Sequence, residues 1–243
     1  MIKIYIGSVG SGKTLYAVRE IIKNKGGFVN YSNIKIKDNI NSVFLTNEHF
    51  FSNFVYDKNG ELDKRKLKLN LDFWKNINDN INVVLDEAHT LFNARRSMTK
   101  INILLTNWVA LIRKLLGNNP NSEGDLILIT QLWYRLDNIT RDMAKQIKFF
   151  VRHNKKECVK CGLIWSETSE DYEQLKYCPK CENNKINKFD FLIEVYVFNC
   201  VESFIQFKDF REKTYFKRYV VSDIEKYFKF YDTFQWDNLI EDL

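Results

Sequence analysis

The chain has no long apolar run. Its 243 residues are 45% hydrophobic, but no block approaches the ~18 consecutive apolar residues of a membrane-spanning helix. Direct membrane insertion is therefore not expected. Nor is a signal peptide, because a β-prone run starts at Ile2 and leads straight into a glycine-rich loop. A cytosolic or intravirion location follows as the expectation. Strong charge is lacking too. The net charge of +6 permits an acidic polymer as partner without demanding one. Proline is scarce, at two residues, and cysteine does not form a disulfide framework. Four of the five cysteines fall in two C-x-x-C pairs, which inside a cell suggests metal rather than cross-links. The length suits one large α/β domain plus a small module.

What is there begins at the N-terminus. Gly7-Ser8-Val9-Gly10-Ser11-Gly12-Lys13-Thr14 matches G-x-x-x-x-G-K-[ST], the phosphate-binding loop of nucleoside triphosphatases. Ile2, Ile4 and Ile6 with Tyr5 form a short strand before it. Leu15 to Lys23 reads as a helix, with Leu15, Val18, Ile21 and Ile22 at helical spacing. The glycines let backbone N–H groups close around phosphates, and the helix N-terminus adds a favourable dipole. Lys13 can reach the β- and γ-phosphates, and the Thr14 hydroxyl can ligate magnesium. The pattern predicts bound ATP with Mg²⁺. GTP is disfavoured, because no Asn-Lys-x-Asp segment stands at a strand end.

A second strand is expected over Phe28 to Tyr31, and a surface hairpin or loop over residues 48–76. Ile81 to Leu85 is a short apolar run followed by Asp86-Glu87, which suits a buried parallel strand with two carboxylates at its C-terminal tip. Ligands bind at that tip in open α/β sheets. Asp86 would hold the magnesium, directly or through water, and Glu87 would polarise the attacking water. Ser97 to Gly117 reads as a long amphipathic helix, and Gly117 to Gly124 as a polar loop. Leu126 to Thr130 is another buried strand. Gln131 at its tip can contact the γ-phosphate or the attacking water, or merely cap the strand.

Strands are expected over Phe149 to Arg152 and Phe189 to Asn199. Between them Cys158-x-x-Cys161 and Cys178-x-x-Cys181 have zinc-ribbon spacing, with sixteen residues between the pairs. Four thiolates close a tetrahedral structural Zn²⁺ site with no ligand missing, which argues against catalytic zinc. Charges in this segment nearly cancel, so contact with DNA and contact with protein both stay open. Cys200 reads as a buried small hydrophobe. Farther on, the aromatics Phe207, Phe210, Tyr215, Phe216 and Tyr219 read as core, with stacking on nucleic acid as the alternative. A strand near Tyr215 to Val221 precedes a helix from Ser222, where Ser222-Asp223-Ile224-Glu225 has a capping-box pattern.

This residue set resembles the HerA–FtsK superfamily of pumping ATPases, nearest to viral members related to the zonular occludens toxin domain. The matching pieces are Gly7 to Thr14, Leu85 to His89, Ala94 to Met98, Arg113-Lys114, Ile129 to Gln131, Leu136-Asp137 with Arg141, and Tyr231-Asp232-Thr233. They cover residues 1–153 well and the C-terminus thinly. The resemblance implies a P-loop α/β fold of RecA-like type, with a mainly parallel central sheet flanked by helices; the four-cysteine zinc ribbon reads, from its spacing between two strands, as an insertion in a β-hairpin of that fold. The core would be residues 1–153 and 189–243, and the insertion 154–188. It also implies a homo-oligomer, a hexameric ring with nucleotide between subunits and an arginine supplied by the neighbour. Arg141 is the first candidate, with Arg113, Arg96 and Arg95 behind it.

The implied activity is an ATP-hydrolysing motor that moves viral double-stranded DNA into a capsid. Its partners would be DNA and a capsid or portal protein, in the host cytoplasm or on the virion. The lack of a membrane span favours packaging over filament extrusion. Alternatives are a zonular occludens toxin-like ATPase of virion morphogenesis or export, a cellular HerA-like DNA translocase, and a non-enzymatic nucleotide-binding scaffold.

Overall fold

Alternating apolar residues on three central strands build two cores, one on each face of a sheet. β1 (Ile2–Gly7) sends Ile2, Ile4 and Ile6 to one face and Tyr5 to the other. β6 (Ile81–Leu85) and β7 (Leu126–Thr130) repeat the division: Val83 and Leu128 face one way, Val84 and Ile129 the other. Fully burying each such side chain contributes roughly 1.5–3 kcal/mol. α1 (Lys13–Lys23) covers one face with Leu15, Tyr16, Val18 and Ile21. α5 (Lys100–Gly117) covers the other with Leu105, Trp108, Val109, Ile112 and Leu116, a helical stripe. The computed structural model describes residues 1–23, 27–37, 41–77, 80–96, 98–117, 124–168 and 176–232.

β2 (Val29–Ser32), β3 (Ser42–Phe44), β8 (Gln146–Cys158), β10 (Ile186–Phe198) and β11 (Lys217–Val221) complete the path β11-β10-β8-β1-β7-β6-β2-β3, and β9 (Ile164–Thr168) pairs with β8. Pairing is parallel from β8 through β3 and antiparallel among β8, β9, β10 and β11. The architecture is thus a mixed, mainly parallel α/β sheet with flanking helices. Register aligns Ile6 with Thr130 and Leu85 with Leu128. The residues that follow, Gly7, Gln131 and Asp86, therefore meet along one sheet edge. Among the described residues, no helix is long and apolar enough to cross a membrane.

The segment 48–76 departs from its expectation as surface. α2 (Asn47–Phe50), β4 (Phe51–Ser52), β5 (Lys68–Leu69) and α3 (Leu71–Lys75) occupy it, and β4 pairs with β5 as a small hairpin. Yet Phe50, Phe51, Leu67 and Trp74 are fully buried. The rings of Phe50 and Trp74 pack on Trp108 of α5 at 4.9 and 5.3 Å, and Trp74 Nε1 donates to the His49 carbonyl at 2.7 Å. The core contacts come from widely spaced residues with charged stretches between them, which hides their pattern.

Other corrections fall in the C-terminal third. α7 (Val201–Phe210) was not anticipated; it buries Phe204 against Trp133 and Phe198. Cys200 is exposed, not buried: β10 ends at Phe198, and Cys200 occupies the N-cap position of α7 without a side-chain capping bond, its Sγ 3.0 Å from Ser203 Oγ. Phe210 and Phe216 are exposed rather than core. The capping box at Ser222 does not form. Asp223 takes φ 54, and a short 3₁₀ segment, Glu225–Phe230, starts after Ile224 instead. Ser97, the loop residues 118–123, residues 169–175 of the proposed ribbon, and Thr233 lie outside the described residues.

Candidate active site

The loop between β1 and α1 is shaped by close approaches. A Cβ on Gly7 would overlap the Phe150 carbonyl and Ser11 Oγ, and one on Gly12, at φ +90, would overlap Ile193. Only glycine lets β8 and β10 come this near. Lys13 is folded into the loop. Its Nζ donates to the carbonyls of Gly7 (3.0 Å) and Ser8 (2.8 Å) and lies 3.4 Å from Ser11 Oγ. Burial holds its pKa below the usual lysine value, while Asp86 and Glu87 pull the other way.

The acidic tip faces this loop. Thr14 Oγ1 donates to Asp86 Oδ2 at 2.8 Å, so the two candidate magnesium ligands already point at one another. This pair of oxygen donors fits a hard divalent cation. Burial pushes the Asp86 carboxyl up to about 6, against the stabilising Thr14 hydrogen bond. Asn33 grips the Asp86 backbone from β2's end, accepting from its N–H at 2.7 Å and donating to its carbonyl at 3.0 Å. Sequence reading missed Asn33; a single polar residue after a short strand gives no distinctive signal.

Glu87 sits at φ 50 and ψ 39, a left-handed conformation costly for a non-glycine residue, and starts α4 (Ala88–Leu91). Its side chain meets two neighbours: Gln131 Nε2 donates to Oε1 at 2.8 Å, and His89 Nδ1 lies 3.3 Å from Oε2. His89 also contacts Thr130 Oγ1 at 3.2 Å. Burial, helped by Arg135, depresses the His89 pKa and so favours the neutral ring. A half-buried carboxylate oriented by an amide and a neutral imidazole can position a water molecule and accept hydrogen bonding from it.

One cavity of ≈ 560 Å³ gathers Val9, Gly10, Gly12, Lys13, Thr14, Asp86, Glu87 and Gln131 on one side. Arg152, Phe191, Phe228, Tyr231 and Asp232 line the other side. Of these, only Tyr231 and Asp232 belonged to a segment already singled out, and no role had been attached to them. Arg141 is not among the cavity residues. It is half-buried on α6 (Asn138–Asp142), with its guanidinium 5.5 Å from the Trp133 ring centroid and bonded to Asn138. Arg95, Arg96 and Arg113 are exposed and are not among the cavity residues.

The four cysteines converge at the far end of β8 and β10. Both strands run longer than expected, because pairing continues without a break in direction to Ile186 opposite Cys158. All four Sγ atoms lie within 4.8 Å of one another, with Cys158–Cys181 at 3.5 Å and Cys161–Cys178 at 3.6 Å. A tetrahedral zinc with Zn–S of about 2.3 Å needs sulfurs about 3.8 Å apart; a disulfide needs about 2.05 Å. The cluster fits the metal. The two knuckles are alike: Gly162 N–H bonds back to Cys158 O, Glu182 N–H to Cys178 O, and both residues are left-handed, at φ 66 and 56.

A mainly parallel sheet with G-x-x-x-x-G-K-T between its first strand and helix, and Asp-Glu at a neighbouring strand tip, defines a P-loop α/β protein. Residues 1–188 match the model of the zonular occludens toxin (Zot) family, and the chain belongs to that family. No curated protein matches the chain. Among solved structures, it is similar to the N-terminal domain of zonular occludens toxin from Neisseria meningitidis, at 16% identity and TM-score 0.49, covering 95% of this chain and 98% of that one. It is also similar to the genome packaging NTPase B204 of Sulfolobus turreted icosahedral virus 2 in complex with AMPPCP. That match has 19% identity and TM-score 0.36 and covers 61% of this chain and 73% of that one.

Proposed function

We propose that the chain is an ATP-hydrolysing motor that moves viral genomic DNA into a capsid. The observation that carries the hydrolytic half is the meeting of Lys13, Thr14, Asp86, Glu87 and Gln131 in one cavity. In this reading the loop amides of Gly7 to Thr14 and the Lys13 ammonium hold the phosphates. Thr14 and Asp86 would hold magnesium, which when bound offsets phosphate charge. Glu87 orients and polarises the attacking water, and Gln131 fixes Glu87 and senses the γ-phosphate. The chain acts as a ring, and Arg141 is the first candidate for the cation presented to a neighbour's site. A residue that serves in trans belongs outside its own chain's cavity, as Arg141 is.

Residues 154–188 form a zinc ribbon inserted in a core of 1–153 and 189–243 in this account. Metal analysis of protein purified without chelator is expected to give one zinc per chain, lost in Cys158→Ser. Protein without zinc would remove the ribbon.

The packaging half rests on the motif resemblance. The family match itself favours a second reading, an ATPase of virion morphogenesis or export acting through partner proteins. The rate of ATP hydrolysis with and without double-stranded DNA separates the two. The packaging reading predicts strong stimulation by duplex DNA. An active enzyme indifferent to DNA would favour the second.

A further inference from the structure

The cavity extends well beyond what three phosphates need, and its far wall is aromatic. Ile193 of β10 touches Gly12 of the phosphate loop. Phe191 lies two residues back on the same face, about 6.6 Å along the strand. Its ring centroid is 6.1 Å from that of Phe228, which lies 6.4 Å from Tyr231 with ring planes only 18° apart. The Arg152 guanidinium lies over Phe191 at 4.0 Å, and its Nε donates to Asn154 at 2.9 Å, which fixes its plane. Phe191 and Tyr231 are buried, whereas Phe228 keeps 41% of its surface exposed while lining the cavity. Phe228 thus presents an apolar ring to the cavity that the phosphate loop also lines.

We infer that Phe228, backed by Phe191 and Tyr231 and flanked by Arg152, is the platform on which the purine base of the nucleotide stacks. This rests on the nucleotide-binding reading above and deepens it. Flat aromatic and guanidinium faces grip a base by its π-surface, which every base possesses. The larger purine gains more from such contact than a pyrimidine. The wall would therefore supply affinity through the base, while the loop supplies it through the phosphates.

The test compares ATP with inorganic tripolyphosphate, which has the phosphates and no base, in calorimetric titrations with magnesium. Phe228→Ala should weaken ATP binding on the order of 10- to 100-fold and leave tripolyphosphate affinity unchanged. Phe228→Trp should restore ATP binding, which a loss of fold would not allow. Wild-type protein should also bind ATP more tightly than CTP. Equal weakening of both ligands in Phe228→Ala, or of neither, would overturn the inference, while binding of both ligands by the wild-type protein would leave the nucleotide-binding reading standing. Wild-type protein that bound neither ligand would instead overturn the nucleotide-binding reading, and this inference with it.

Discussion

Glu87→Gln is expected to stop turnover while leaving the triphosphate bound. The substitution conserves shape. A glutamine at position 87 can still accept from Gln131 through its amide oxygen, where Oε1 now accepts at 2.8 Å. It also remains long enough to reach the neutral His89 beside it. What it loses is the negative charge that polarises water. Removing a positioned general base typically costs 10²–10⁴-fold in rate. Phosphate release should fall by about that factor, and intact ATP should be recovered from the protein after gel filtration. Because Glu87 occupies a left-handed backbone position, which is costly for either residue, the exchange should leave stability nearly unchanged. Normal turnover by Glu87→Gln would place the water-activating role elsewhere.

The opposite phenotype is expected from Lys13→Ala: no tight binding at all. Lys13 Nζ sits within the loop on the carbonyls of Gly7 and Ser8, and is buried. In the proposed reading the same ammonium is the one cation that the loop itself would supply to the phosphates. Charge-assisted hydrogen bonds contribute about 1.5–3 kcal/mol each, so losing two of them weakens ATP binding by roughly 10²- to 10⁴-fold. Calorimetric titration measures this directly, and a thermal melt separates it from unfolding. A variant that bound ATP as wild type does would contradict the assignment of Lys13 to the phosphates. In the proposed reading the two variants divide the site, Lys13 holding the substrate and Glu87 acting on it.

The parts legible in the sequence are those whose chemistry is local. Gly7 to Thr14 is contiguous, and its glycines have local reasons: Gly7 lies against the Phe150 carbonyl, and Gly10 and Gly12 take positive φ. Asp86, Glu87 and Gln131 were readable because each follows a short apolar strand, and parallel strands end at a common edge. The four cysteines were readable because spacing alone specifies two knuckles. The hidden parts are assembled from distant segments. Phe228 and Phe191 meet only because β10 and the 3₁₀ segment after β11 converge beside α1. Trp74 and Phe50 pack on Trp108 across separate elements, with charged residues masking them in the chain. The failed helix at Ser222 shows a tertiary contact overriding a local cap. Asp223 turns the chain, and Tyr227 is drawn into the core that α1 covers. Val201, Phe204 and Phe207 carry the spacing of a helix face, but over two intervals only, too short a run to stand out among the aromatics around them.

The most direct measurement is magnesium-dependent phosphate release from ATP by the wild-type chain, with and without duplex DNA, against Glu87→Gln as the blank. The account predicts release well above the blank, rising further when DNA is added. Release no greater than that of Glu87→Gln under both conditions would contradict it.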